Sequence, residues 1–146
     1  TMHSQRDIYV QGLKHVLAQV SGRVQRIIYL SSTSVYGQTA GEWVVETSAC
    51  NPSRPNGQIC LDAETVLQKH GATAQVPVNV LRLAGIYGPD RLLARVAALQ
   101  AGEPLRGNRA GFLNLIHVDD IVRAIVACQK MGQAGATYLV CDDQPI

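Results

Sequence analysis

The chain has 146 residues, 47% of them hydrophobic and 16% charged, with a formal net charge of +2. That composition supports one domain with its own core, and the near balance of charge without long like-charged runs argues against a nucleic-acid partner; Arg23, Arg26, Arg106 and Arg109 are read as solvated groups or small-anion contacts. The four cysteines (Cys50, Cys60, Cys128 and Cys141) form no Cys-x-x-Cys pair and no zinc-like spacing with His3, His15, His70 or His117. No apolar run reaches the roughly 18 residues of a membrane span, so the expectation is a cytoplasmic protein with reduced thiols, no metal and no membrane contact.

In chain order, Ile8, Leu13, Val16, Leu17 and Val20 recur with a helical period over residues 8 to 20, and Gly22 is placed to end that helix. Ile27-Ile28-Tyr29-Leu30 then reads as a strand buried on both faces, as in a parallel sheet. It runs into Ser31-Ser32-Thr33-Ser34-Val35-Tyr36-Gly37, which sets small hydroxyls at the strand's carboxyl end, where open α/β sheets bind ligands. Residues 37 to 57 carry repeated Gly and Pro together with Asn51, Ser53 and Asn56, and predict a long exposed connection.

A helix is predicted from about 58 to 70, ending at Gly71, followed by a strand from Pro77 to Leu83. Ala84 to Pro89 reads as a Gly-rich turn, with Asp90 capping a helix over Leu92 to Ala101. A polar stretch from Pro104 to Gly111 precedes a short apolar run, Phe112 to Ile116. Asp119 and Asp120 are expected to cap and charge the helix carrying Ile121, Ile125, Val126 and Cys128, and Thr137 to Cys141 is the last strand. Strands alternating with crossover helices predict an α/β fold, a three-layer α/β/α Rossmann-like arrangement with a partial doubly wound parallel sheet.

Three stretches, in this order, resemble the extended short-chain dehydrogenase/reductase superfamily, within its NAD-dependent epimerase/dehydratase family. They are Ser31-Ser32-Thr33-Ser34-Val35-Tyr36-Gly37, Arg82-Leu83-Ala84-Gly85-Ile86-Tyr87-Gly88-Pro89 and Ile116-His117-Val118-Asp119-Asp120-Ile121. Gly41-Glu42-Trp43-Val44 further resembles a divergent bacterial, nucleoside-diphosphate-sugar-epimerase-like branch. The resemblance implies NAD or NADP as cofactor, a nucleotide sugar or similar small molecule as substrate, and hydride transfer as the chemistry.

Residue by residue, the resemblance places Ser32 and Ser34 as catalytic hydroxyls and Ser31, Ala84, Gly85, Ile86 and Tyr87 against the cofactor. It places Trp43, Arg91 and Arg109 against the substrate, the arginines as contacts to a diphosphate. Bland readings stand beside these. Ser32 also suits a hydroxyl capping its own backbone, Trp43 a ring packing the loop down, and Tyr87 a half-buried packing ring. His117 matches a recurrent family histidine, for which a structural role is preferred over acid/base work. The family's Tyr-x-x-x-Lys pair has no counterpart: Asn56 and Cys60 stand at those positions, with Glu64 matching the acidic residue after the lysine. Asparagine cannot act as a general acid, and cysteine supplies no fixed positive charge.

No first strand running into Gly-x-Gly-x-x-Gly occurs, and Gly85, Gly88 and Gly107 read as turn glycines. The resemblance therefore implies that residues 1–146 are a partial NAD(P)-binding domain, roughly the C-terminal two-thirds of the family fold. It implies that NAD or NADP is not held by this chain alone, and that the open sheet edge is covered by further chain or by a homo-oligomer, most simply a dimer. The alternative to an enzyme is a non-catalytic nucleotide-binding or structural, oligomerisation protein of the same descent.

Overall fold

The apolar run Ile27–Ser32 forms strand β1, and Val78–Leu83 forms β2 beside it in parallel, with Ile27 opposite Val78 and Ser32 opposite Leu83. These positions come from a computed structural model that describes residues 5–20, 22–89, 91, 93–104 and 111–146. Thr137–Val140, here β5, pairs in parallel with the other side of β2, so the sheet runs β1-β2-β5. Every residue of β2 is buried, as expected of a central strand covered on both faces.

The pleat of β2 divides the core. Val78 and Val80 pack with Leu17 of helix α1 (Leu13–Val20) and Leu67 of helix α2 (Pro55–Ala74). Leu81 and Leu83 face the other way, toward Ile121 and Cys128 of a helix at Val118–Met131. Helices on both faces of a central parallel sheet make the predicted three-layer α/β architecture.

Several boundaries differ from the sequence reading. A π-helical turn, Asp7–Gly12, leads into α1, where one continuous helix was expected. Helix α2 starts at Pro55, whose fixed φ and missing N–H suit the first helical position, and it runs through Gly71 to Ala74. Gly71 is not a terminator. A Cβ there would lie 2.7 Å from Val78 Cγ2 and 2.8 Å from the Val76 carbonyl, so the glycine allows the helix to approach the turn before β2. Gln75, left-handed at φ 54, ends the helix instead.

The expected Gly-rich turn after β2 contains a strand, β3 (Gly85–Tyr87), paired in parallel with β4 (Leu115–His117). Helix α3 (Leu93–Gln100) lies between them in the chain. The predicted run 112–116 contributes only its end to β4; Phe112 and Leu113 are exposed, and Leu113 exchanges both backbone hydrogen bonds with Ile146. The last helix, α4 (Val118–Met131), is capped by His117, whose Nδ1 accepts the Asp119 N–H at 3.2 Å; Asp119 and Asp120 supply only negative charge in the first turn. The expected Asp90 cap lies outside the described residues.

Arg26 is not a solvated cation. Its Nη1 donates to the Cys128 and Gly132 carbonyls at the end of α4, at 3.1 and 2.9 Å, and to Asn79 Oδ1 at 2.9 Å. A cation at the negative end of a helix is favourable, and this one also satisfies a fully buried asparagine on β2.

Candidate functional site

At the carboxyl end of β1 the pleat sends alternate residues to opposite sides. Ser31 turns inward, where its Oγ donates to Glu64 Oε1 at 2.5 Å. Glu64 on α2 also accepts two hydrogen bonds from Arg82 on β2, Nε to Oε1 at 3.2 Å and Nη2 to Oε2 at 2.8 Å. Arg82 Nη1 donates to the Tyr36 hydroxyl at 2.7 Å, and that hydroxyl donates to the Val45 carbonyl at 3.2 Å. Glu64 and Arg82 are 2% and 6% exposed, so this is a dehydrated ion pair with its hydrogen bonds met.

Burial works against the Arg82 charge, yet Glu64 and Tyr36 together raise its pKa above an already high guanidinium value. Burial also raises Tyr36, against the opposing pull of Arg82. Tyr29 is pushed up to about 12, chiefly by burial, with Cys60, Glu64 and Tyr9 adding to it. Neither tyrosine is poised to exchange a proton near neutrality. Ser31, expected beside a cofactor, has its side chain committed to Glu64. The polar residues Asn79 and Arg82 inside an apolar strand were the missed signal, since buried polar groups require partners.

Ser32 lies at the open strand end. Its Oγ accepts the Ser34 N–H at 3.1 Å and caps a 3-10 turn, Thr33–Val35. That is the self-capping reading, and it leaves the hydroxyl proton available to a ligand. Ser34 is exposed, and its backbone carbonyl lies close against α2. Gly57 makes that approach possible, because a Cβ there would lie 2.1 Å from the Ser34 carbonyl. Burial raises the Cys60 pKa, Ser34 lowers it and Glu64 raises it further, so the net effect keeps the thiol neutral. Asn56, one turn earlier on α2, is exposed. Ser32, Ser34 and the Asn56–Cys60 turn are thus gathered at one strand end.

The second group of expected residues follows β2. Ala84 is buried and donates its N–H to Val140; Gly85 donates to Asn114, and Ile86 lies opposite Ile116. The Ala84 and Gly85 N–H groups are therefore used within the sheets. Tyr87 packs edge-on to His117, with ring centroids 5.1 Å apart, and the Asp142 carboxylate raises the pKa of its hydroxyl. His117 serves as the helix cap, in keeping with a structural role. Arg91 is exposed; Arg109 lies outside the described residues.

Trp43 does not pack its loop down: it is 88% exposed. The loop is held by other groups. Gln38 Nε2 donates to the Ala49 carbonyl at 3.2 Å, the Val45 N–H to Ser48 Oγ at 3.0 Å, and the Leu139 N–H of β5 to Glu46 Oε1 at 3.0 Å. The Leu139 contact is the main reason that the Glu46 pKa is lowered. Among the described residues no cluster of three metal-ligating side chains occurs, and no helix is long and apolar enough to cross a membrane.

A parallel sheet with crossover helices, ending in hydroxyls at the carboxyl edge of β1, defines a Rossmann-like α/β protein. Residues 7–141 match the NAD dependent epimerase/dehydratase family, and the chain belongs to that family. It is 33% identical over 136 residues to Protein YeeZ of Escherichia coli (strain K12), an alignment covering 92% of this chain and 47% of that protein. A functionally unknown conserved protein from Silicibacter pomeroyi DSS superposes with a TM-score of 0.76 at 33% identity, covering 94% of this chain and 47% of the other. DesIV, a dTDP-glucose 4,6-dehydratase from Streptomyces venezuelae solved with NAD bound, superposes with a TM-score of 0.82 at 26% identity, covering 92% and 44%. The chain thus spans less than half the length of these relatives.

Proposed function

We propose that these 146 residues are a partial dinucleotide-binding domain of a protein that takes NAD or NADP and acts on a nucleotide sugar or a similar small molecule. The supporting observation is Ser32: its hydroxyl oxygen caps the Thr33–Val35 turn while its proton stays free at the strand's carboxyl end. When bound, the nicotinamide would supply or accept hydride. Ser32 would donate to a substrate oxygen, and Ser34 would orient the turn beside it. The Ala84 and Gly85 N–H groups are used in the sheets, so Tyr87 and the exposed face of β3 are the parts of that segment left for a cofactor. Arg91, exposed beyond Gly88, is a candidate for a substrate phosphate, and Arg109 is a second on sequence grounds.

A second reading is a non-catalytic nucleotide-binding protein. It is favoured by Asn56 and by the neutral Cys60 thiol at the positions where the family pair is expected. Calorimetry with NAD(H), NADP(H) and nucleotide sugars, alongside absorbance of the reduced nicotinamide, separates the two. Turnover that Ser32→Ala lowers at least tenfold supports the enzyme; binding without turnover supports the second reading. Absence of both from a form of the protein as long as its relatives overturns the nucleotide assignment.

The reading includes a cytoplasmic homodimer and no nucleic-acid partner. Four free thiols support the compartment. Exposed Leu30 on β1, with Val122 and Val126 four residues apart on α4, supports a covered face at the β1 edge. Light scattering on the 15.7 kDa chain tests the dimer, and a stable monomer would refute it.

A further inference from the structure

We propose that Trp43 and Phe112 form an aromatic platform that stacks the flat base of a nucleotide-linked ligand. The proposal rests on the nucleotide reading above and adds where the base sits. The chain has one tryptophan and one phenylalanine, and they are 88% and 65% exposed. Such rings ordinarily bury large apolar areas, yet the fully buried core residues are non-aromatic, with only Tyr29 and Tyr138 packed against them, and both rings face solvent.

They also belong to one corner of the molecule. Gly41, two residues before Trp43, has φ +86, and a Cβ built on it would lie 3.5 Å from Phe112 Cε2. The Trp43 loop therefore rises against the Phe112 ring, although the two segments are far apart in sequence. That corner lies at the ligand-binding end of the fold. The loop follows the carboxyl end of β1, and Phe112 immediately precedes β4, whose Leu115 is opposite Gly85 just beyond the end of β2.

The exposure of Trp43 is built in. Tyr36, Gln38, Glu42, Glu46 and Ser48 pin the loop on both sides of the ring, and Tyr36 is itself anchored by buried Arg82. Glu42 and Glu46 both accept backbone N–H groups, at 2.8 and 3.0 Å, so both carboxylates are tied to the backbone. A flat heterocycle suits such a pair, because stacking on aromatic faces needs no matching hydrogen-bond pattern.

Trp43 is the only tryptophan, so its emission reads the platform directly. The 146-residue chain is titrated with thymidine diphosphate, uridine diphosphate and inorganic pyrophosphate, following fluorescence and heat together. The expected result is saturable quenching by both nucleotides and none by pyrophosphate. Phe112→Ala weakens the nucleotides by about fivefold or more, and Phe112→Tyr restores them. Nucleotide heat with unmoved Trp43 emission and no effect of Phe112→Ala places the base elsewhere, sinking the platform but sparing the nucleotide reading. No heat and no quenching overturns the platform. A fall in oligomer mass on Trp43→Ala, without any nucleotide effect, makes the corner a protein contact and also overturns it.

Discussion

Ser31 and Ser32 are adjacent on β1, but the pleat carries the first hydroxyl to Glu64 in the interior and leaves the second at the open strand end. The inner cluster has Ser31, Glu64 and Arg82 buried with Tyr36 half-buried at its rim, and every link is hydrogen-bonded. The outer cluster, Ser32, Ser34, Asn56 and Cys60, is partly exposed and only locally tied. Buried charge tolerates no missing partner, whereas an exposed hydroxyl exchanges partners with water or ligand at little cost. The inner cluster therefore secures the strand end, and the outer one keeps its hydroxyls within reach of solvent.

The largest effect is expected from breaking the inner cluster. Glu64→Ala leaves the Arg82 guanidinium buried without a counter-charge and should cost about 3–5 kcal/mol in urea melts. Replacing both members, with Glu64→Leu and Arg82→Met, should recover much of that loss. If the double variant is as unstable as the sum of the single ones, the pair is not coupled as drawn.

Gly57→Ala attacks the junction between the clusters, since its Cβ would meet the Ser34 carbonyl at 2.1 Å and Pro52 Cβ at 2.8 Å. The expected loss is at least about 1–3 kcal/mol. An unchanged melting transition would mean that the close approach is not required.

Tyr36→Phe removes one hydroxyl that accepts from Arg82 and donates to Val45, and about 1 kcal/mol should be lost. The distinguishing readout is Trp43, whose fluorescence anisotropy should fall as the loop loses that anchor. A stability loss with unchanged anisotropy would confine Tyr36 to the core.

The smallest effect concerns pH. The Leu139 N–H holds the Glu46 pKa below its ordinary value, so Glu46 steadies the loop above the ordinary glutamate range. That contribution is lost as pH falls through the lowered value. Trp43 anisotropy should therefore drop in acid, and Glu46→Gln should be already loose at neutral pH and lack the acid step. An acid step of equal size in Glu46→Gln would assign it to another carboxylate.

The apolar run before Ser31, the helical periods and the alternation of elements were enough to specify a parallel α/β sheet, because buried strands and amphipathic helices write their environments into residue spacing. The same reading located the hydroxyl-bearing strand end and the missing Tyr-x-x-x-Lys pair, both of which are local patterns. It did not show that Gly71 continues a helix, that Gly85–Tyr87 pairs with Leu115–His117, or that His117 caps α4 in place of Asp119. The first two depend on what approaches from elsewhere, Val78 against Gly71 and Asn114 against Gly85, while the third is a local bond between His117 and Asp119. The fates of Ser31, Arg26 and Arg82 likewise depended on partners 33, 102 and 18 residues away. Spacing along a chain records which face a residue occupies, but only the tertiary structure supplies the partner that makes a buried polar group stable.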